Sequence, residues 1–230
     1  AGTLFELNSG MISHVNLCDN SSRVSFYYDG SIGNASIATI ERGDGEPYKG
    51  MVLWAWHLWC PGDGQPQNVV YGANTYMDRN LGALSATAGD HLANGLFYQF
   101  GRKDPFLGIA SVDQNVAMES TGVWNATVAV QPDPEQYVIA HPMQHINNNK
   151  APQDWYTTVA ADQNHSLWNS SGKTMYDPCP YGYRVPQKLS WNINMTSGNP
   201  FFTTANFVYN SGCLVYTEGQ TEVVYPICGC

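Results

Sequence analysis

A histidine pair is the first set of side chains in this sequence whose spacing could serve chemistry. His141 and His145 lie four residues apart, as two metal ligands on one helical face would. The pair lacks the Glu of an H-E-x-x-H motif, and Pro142 between the two histidines is tolerated only in a first helical turn. We therefore favour loop histidines that pack against Tyr137 or Trp155 over a metal site.

The carboxylates are the next candidates for chemistry. Asp78 follows no catalytic motif and precedes Arg79, while Asp104 follows Arg102 and a lysine. Ion pairing or turn capping explains both better than a catalytic acid pair does. No G-x-S-x-G, P-loop or dinucleotide-binding motif occurs, and no activating base lies near the C-terminal Cys-Gly-Cys. The prediction is a protein without catalytic residues, metal or cofactor.

Composition narrows the possible partners. The 230 residues include 10 Lys and Arg against 19 Asp and Glu, which gives a net charge of −9, and only 13% are charged. Such a balance disfavours nucleic acids and anionic membrane surfaces. No apolar run reaches the roughly 18 residues of a membrane span, so no direct membrane insertion is expected. The sequence starts at Ala1 without an initiator Met, which is typical of a mature or trimmed product.

The 6 cysteines show no zinc-type pair of C-x2-C motifs. A partial set of disulfides in an exported protein is the favoured interpretation, and buried free thiols are the alternative. The sequence gives no connectivity.

The elements that position these residues are predicted mainly as strands. Short β-branched or aromatic runs separated by Asp-, Asn- and Gly-rich turns predict strands at 12–17, 23–28, 35–40 and 51–59. Both faces of the last run are apolar, so it is expected to be buried on both sides. The Pro- and Gly-rich segment 61–66 predicts a boundary between a β-sandwich-like unit, 1–62, and a second domain, 63–230.

The second domain is less regular. Segment 95–100 could form a short helix with Leu96, Phe97 and Phe100 turned inward, and 185–191 resembles a helix start. The residues between, roughly 111–172, read as long polar loops, which in a compact domain are usually functional or held by side-chain networks.

Four strings in order carry a family resemblance: LWAWHLW (53–59), YMDRNLGA (76–83), GLFYQFGRKDPF (95–106) and YDPCPYGYRVP (176–186). Together they resemble the Fibrobacter succinogenes major paralogous (FISUMP) domain family, found in fimbrillin-like surface proteins of Bacteroidetes. Family members usually continue beyond the equivalent of 224–229, so the resemblance implies either a fragment or a divergent C-terminus. The usual partner of Cys179 is then in question.

The segment GYRVP (182–186) also resembles the R-L-P-T-x-x-E-W element of formylglycine-generating enzymes and C-type-lectin-like folds. The acidic residue of that element is absent here, which removes support for an enzyme. The resemblances imply an α+β protein, with a β-sandwich-like N-terminal unit and a loop-rich C-type-lectin-like domain.

The recognised strings supply the structural residues of this prediction. Met77 and Leu81 are expected to fill the core, Cys179 to staple a rigid turn, and Arg184 to bond neighbouring carbonyls. The full set of predicted structural-motif residues is Asp78, Arg79, Asn80, Arg102, Asp104, Cys179 and Arg184.

The predicted function is non-catalytic adhesion or ligand binding at the extracellular or outer-membrane surface of a Bacteroidetes-like bacterium. The ligand would be a glycan or a host or microbial surface protein. Flat aromatic faces and amide groups suit such ligands, and the residues predicted to bind are Trp191, Asn192, Asn194, Asn199, Phe201, Phe202, Asn206, Tyr209 and Asn210. The alternative is a structural subunit of a pilus or envelope assembly, joined by β-strand pairing.

Overall fold

The regular structure is mostly short antiparallel strands. The computed structural model describes residues 1–6, 10–20, 22–41, 51–62, 64–71, 74–87, 90–106, 129–146, 148, 151–169, 171–186, 207–210, 213–218 and 221–226. Ten strands are found there: β1 (Gly2–Glu6), β2 (Ile12–Cys18), β3 (Arg23–Tyr28), β4 (Gly33–Ile40), β5 (Val52–Cys60), β6 (Asn68–Tyr71), β7 (Asn74–Met77), β8 (Phe207–Asn210), β9 (Cys213–Glu218) and β10 (Thr221–Pro226).

These strands form four small sheets. β1, β4 and β5 make one three-stranded sheet, and β8, β9 and β10 make another in the order β10-β9-β8. β2 pairs with β3, and β6 pairs with β7. The described part of the α+β protein that was predicted is therefore mostly β-structure, in small antiparallel sheets. The one α-helix of the described residues, α1 (Pro134–Ala140), is short.

The four strands predicted in the first sixty residues are confirmed as β2, β3, β4 and β5. Ile12 of β2 and the preceding Met11 pack with Ala35 and Ile37 of β4 in a common core. β4 is buried on both faces along most of its length. The turn before β3 forms at Asp19 and Asn20, which adopt positive φ angles of 51° and 54°. Asp and Asn tolerate this conformation better than most residues do.

The prediction that β5 is buried on both sides is wrong. Leu53 and Trp56 keep 53% and 38% of their surface exposed, although Ala55 is buried. β5 is also an edge strand, since it pairs only with β4 among the described strands. Apolar composition alone did not reveal the exposure of Leu53 and Trp56.

Residues 95–106 form a hairpin-like turn instead of the predicted helix. Phe97 and Phe106 make an isolated antiparallel bridge with backbone bonds of 3.1 and 2.8 Å. Gly95 has a φ of +80°, and Phe100 is 47% exposed and so does not pack inward. A residue with positive φ interrupts a helix, so the aromatic spacing of this segment was misleading.

Two hydrogen bonds, one buried and one partly buried, cross the boundary predicted near residue 62. The Asn34 side-chain amide donates to the Gly82 carbonyl over 2.8 Å, and the Trp59 indole donates to the Ala83 carbonyl over 2.8 Å. Helix α1 also packs against β5. The N-terminal strands are consequently held by residues that follow them in sequence.

Cys18, Cys60 and Cys179 are free thiols in the structure. The thiol of Cys18 lies 3.1 Å from the Ser25 hydroxyl. None of these three therefore belongs to a disulfide, and for them the alternative of free thiols is the one observed. Among the residues that the structure describes, no helix has the length and apolar character needed to cross a membrane.

Candidate functional site

Helix α1 forms one wall of the candidate site. The Asp133 carboxylate caps the helix by accepting from the Gln136 amide over 3.3 Å, and Pro134 occupies a first-turn position. Both are favoured at helix starts, because Asp satisfies an unpaired amide and Pro has none to satisfy. The helix buries Val138 against Trp155 and its neighbours. These contacts place Glu135 beside the loop that follows residue 151.

The Glu135 carboxylate accepts hydrogen bonds from two tyrosine hydroxyls. The Tyr176 hydroxyl donates to Oε2 over 3.0 Å, and the Tyr156 hydroxyl donates to Oε1 over 3.2 Å. Burial, reinforced by the hydrogen bond and the charge of Glu135, raises the pKa of Tyr176 to about 12. Tyr176 therefore remains protonated at neutral pH, and the Glu135 carboxylate fixes the positions of both tyrosine side chains.

A surface cleft of about 460 Å³ opens beside this cluster. Its walls combine one aromatic ring and two prolines with hydroxyl, amide and carboxylate groups, supplied by Val130, Gln131, Pro132, Pro134, Tyr156, Thr157, Thr158 and Asp162. A flat apolar face with hydrogen-bonding groups around it is typical of sites for small polar ligands. The cleft can therefore hold a ligand that offers both a flat apolar face and several hydroxyls.

The loop that carries Tyr156 is held rigidly by Asp154. One carboxylate oxygen of Asp154 accepts from the Tyr156 amide over 2.8 Å, and the other accepts from the Gln163 side chain over 2.9 Å. The Asp154 carbonyl also accepts from Asn148 over 2.9 Å. Since Glu135 holds the other end of Tyr156, the ring is positioned before any ligand arrives, which lowers the entropy cost of binding.

A second polar cluster lies under β4 and β5. His57 Nε2 is 2.8 Å from Asn34 Oδ1, and His57 Nδ1 is 3.2 Å from the Tyr98 hydroxyl. Because the Asn34 amide nitrogen already donates to Gly82, its oxygen must accept. The proton of neutral His57 therefore sits on Nε2, and Nδ1 accepts from Tyr98.

Burial sets the protonation states of His57 and Tyr98. Burial lowers the pKa of His57 to about 4, and burial raises the pKa of Tyr98 well above its ordinary value, with smaller contributions from Cys179 and Asp104. Both groups consequently stay neutral near pH 7. The arrangement joins β4 and β5 to the segment that follows residue 95.

Arg102 is the most buried of the predicted motif residues, at 1% exposure. Its guanidinium donates to the carbonyls of Gln144 and Pro142 over 2.7 and 3.1 Å and to the Gln99 side chain over 2.9 Å. It also lies over the Phe106 ring, 4.9 Å from the centroid. Burial lowers the pKa of Arg102 to about 10, so the group stays charged and binds the loop together.

Asp104 forms an ion pair with its neighbour Lys103, whose Nζ lies 2.6 Å from Oδ1. The same Nζ donates to the Ala55 carbonyl over 2.9 Å and sits 4.4 Å from the centroid of Trp54. Burial raises the pKa of Asp104 and lowers that of Lys103, while each charge opposes the shift of the other. The predicted ion-pairing role of Asp104 is confirmed, and its partner is Lys103.

The predicted pair Asp78 and Arg79 is also confirmed. Arg79 is 4% exposed, and its Nε and Nη2 atoms donate to the two carboxylate oxygens of Asp78 over 2.8 and 2.9 Å. Asn80 donates to the Asn94 carbonyl over 3.3 Å. The adjacent opposite charges of segment 76–83 therefore form a bidentate ion pair with each other.

In segment 176–186 the residue that makes most of the stabilising contacts is Asp177, which was not among the predicted motif residues. Its carboxylate accepts from the backbone amides of Cys179 and Val185, each over 2.9 Å, and pairs with Lys173 over 2.9 Å. The Cys179 thiol is buried and free, and burial raises its pKa to about 12. Cys179 therefore forms no disulfide in this structure, and hydrogen bonds to Asp177 hold the turn.

The predicted contacts of Arg184 with neighbouring carbonyls are not observed among the described residues. Its side chain is exposed, and within the described part of the chain no carbonyl accepts a hydrogen bond from it. The histidine prediction succeeds, because the His141 ring stacks on Tyr137 with centroids 4.3 Å apart. Within the described residues, no group of three or more His, Cys, Asp and Glu side chains could hold a metal ion.

The residues predicted to bind ligand are not tested by this structure. Trp191, Asn192, Asn194, Asn199, Phe201, Phe202 and Asn206 lie outside the described residues, and Tyr209 and Asn210 fall on β8, of which only the backbone is described. The cleft beside α1 was missed as a specific site. Its signal in the sequence is the long polar stretch of roughly 111–172, because such loops are usually functional or held by side-chain networks.

Comparison with known proteins gives no further constraint. No protein-family model, no curated protein and no solved structure matches the chain.

Proposed function

We propose that this chain is a non-catalytic adhesion or ligand-binding module, exposed at the extracellular or outer-membrane surface of a Bacteroidetes-like bacterium. In this proposal its strands and loops correspond to a β-sandwich-like unit and a C-type-lectin-like domain of the FISUMP type. The carrying observation is the cleft beside α1, whose ring at Tyr156 is held by Glu135 before ligand binds.

A neutral glycan is the ligand class that the cleft favours. A sugar ring offers one apolar face, which can stack on Tyr156, and several hydroxyls, which can bond to Thr157, Thr158 and Asp162. The net charge of −9 disfavours acidic sugars. The small share of charged residues, 13%, agrees with an exported surface protein.

The test is a glycan-array screen of the purified chain, followed by calorimetric titration of each hit. Y156A is expected to abolish binding, because the stacking face is lost. Y156F keeps that face and loses only the bond to Glu135, so it is expected to retain most of the affinity. Y181A is the matched control, since Tyr181 is 99% exposed and lies outside the cleft. Binding that survives Y156A would place the ligand elsewhere.

The second candidate function is a structural subunit joined by strand pairing. It is favoured by β3, which has no strand partner on its outer edge among the described residues. At β5, by contrast, Lys103 occupies the Ala55 carbonyl, and a lysine at a strand edge discourages pairing. Filaments seen by electron microscopy of the purified chain would support this candidate, and discrete particles of constant size would contradict it.

A further inference from the structure

Strand β3 is a second exposed feature, distant in sequence from the cleft and independent of ligand binding. Within the described residues it pairs with β2 on one edge only. Three consecutive aromatic side chains are also exposed, Phe26 at 40%, Tyr27 at 63% and Tyr28 at 40%. An open edge with exposed aromatic side chains is a template for pairing with another strand.

The backbone groups that face the open edge follow from the pairing with β2. The Asp29 amide donates to the Met11 carbonyl over 3.1 Å, so Asp29 faces β2. Backbone direction alternates along an antiparallel strand. The residues whose amide and carbonyl groups point to the open edge are therefore Val24, Phe26 and Tyr28. The bulge between Ser13 and Asn16 belongs to β2, so this alternation is uninterrupted in β3.

A second copy of β3 fits this edge in one register better than in others. Antiparallel pairing centred on Phe26 places Phe26 opposite itself and Val24 opposite Tyr28, so all three outward-facing residues are paired. The same register places Arg23 opposite Asp29 of the second copy, just past the end of β3. The Asp29 carboxylate also accepts from the Ser31 amide and hydroxyl over 2.8 and 2.9 Å. A shift by two residues in either direction loses outward pairs and removes that match of opposite charges. Opposite charges at directly facing positions stabilise a strand pair.

We propose that β3 is a dimerisation edge, which pairs antiparallel with β3 of a second copy about a two-fold axis at Phe26. Such an interface uses the same surface on both copies and closes on itself, so the product is a dimer and not a fibre. It occupies the edge that the strand-joined filament would need, so the dimer and that filament exclude each other. The contact between Arg23 and Asp19 of the same chain spans 3.3 Å with both side chains well exposed. Exposed pairs of this kind contribute little, so Arg23 is available to the second copy.

Sedimentation equilibrium of the full chain over a wide concentration range is the first test. A reversible monomer–dimer equilibrium is expected for the wild type. F26K is expected to be monomeric, because it places two like charges opposite each other at the axis. Y181A is expected to dimerise as the wild type does, since Tyr181 is 99% exposed and lies outside β3. A wild type that stays monomeric throughout would overturn the proposal.

Disulfide trapping tests the register. In the proposed dimer the two copies of residue 26 face each other at about 5.5 Å between Cα atoms, within disulfide reach. The two copies of residue 27 are offset by two positions and lie about 8 Å apart, beyond that reach. F26C is therefore expected to form a covalent dimer under mild oxidation, and Y27C and wild type are not. Equal cross-linking of F26C and Y27C would refute this register.

Charge exchange provides a variant that does not depend on added cysteines. R23D is expected to weaken the dimer, because it sets two carboxylates opposite each other. The double variant R23D/D29R restores opposite charges and is expected to recover the dimer. Failure of the double variant to recover, with its circular dichroism unchanged from wild type, would contradict the proposed pairing of residues 23 and 29.

Discussion

Mild acid is expected to destabilise this protein largely through one imidazole, that of His57. Its Nε2 proton is donated to Asn34 and its Nδ1 accepts from Tyr98, so the ring has no room for a second proton without losing the Tyr98 bond. Lowering the pH from about 7 to about 4 therefore favours the unfolded chain, in which the same imidazole protonates freely.

The magnitude follows from the two pKa values. In the folded protein burial lowers the pKa of His57 from 6.5 to about 4. Between these values the unfolded state binds more protons than the folded state, so stability is complete above pH 6.5 and falls as the pH falls. One pKa unit corresponds to about 1.4 kcal/mol, so by pH 4 the free energy of unfolding is expected to drop by about 3 kcal/mol.

The assay is urea unfolding followed by tryptophan fluorescence at a series of pH values, for wild type and H57Q. Gln can still donate to Asn34 but does not titrate, so H57Q is expected to be less stable at neutral pH and less sensitive to acid. The difference between the two curves isolates His57 from other groups, including His141 and His145, whose pKa values burial also lowers. H91Q, at an exposed position, is the control.

Parallel pH dependence for wild type and H57Q would refute this reasoning. If H57Q does not fold, Y98F provides the same test, because it removes the hydroxyl that occupies Nδ1. The pKa of His57 is then expected to rise, and the loss of stability between pH 6.5 and 4 to shrink.

Three further predictions concern stability and are checked by urea unfolding at neutral pH. R102M leaves buried carbonyls without donors and is expected to cost about 3–5 kcal/mol. D177N weakens bonds to two backbone amides and Lys173 and is expected to cost about 1–3 kcal/mol, whereas D19N at an exposed site has little effect. G95A and G30A both add a side chain at positive φ, which costs about 1–2 kcal/mol. G95A is expected to cost more than G30A. The added Cβ at residue 95 would lie 2.6 Å from the Leu81 carbonyl oxygen, whereas nothing lies within 4 Å of the Cβ position at residue 30. Equal losses in G95A and G30A would show that the close approach is relieved by small shifts.

The N-terminal strands could be predicted because their signal is local. Alternating β-branched and aromatic residues and the turn at Asp19 specify β2 and β3 without reference to the rest of the chain. Segment 95–100 failed the same procedure, because its conformation depends on Gly95 and on a bridge from Phe97 to Phe106. A pattern of aromatic spacing contains no information on such a partner.

In the candidate site, too, contacts between sequence neighbours could be predicted and contacts between distant residues could not. The adjacent charges of Asp78 and Arg79 predicted their own ion pair. Glu135, in contrast, is bound by Tyr156 and Tyr176, which lie 21 and 41 residues away. Nothing in the sequence around Glu135 indicates which hydroxyls will donate hydrogen bonds to it. A cleft whose walls come from separate loops therefore cannot be predicted from local sequence.

The hydrogen bonds of Asn34 and His57 also bear on the order of events during folding. Asn34 is fully buried and finds its carbonyl partner at Gly82, 48 residues later, and His57 finds Tyr98 41 residues later. While the chain is being made from its N-terminus, β4 and β5 can pair before these partners exist, but two buried polar groups then lack acceptors or donors. Such a sheet is expected to be short-lived and vulnerable to wrong pairing. Stable structure in the first sixty residues thus waits for synthesis to pass Tyr98, and contacts of this sequence separation slow the step that completes the fold.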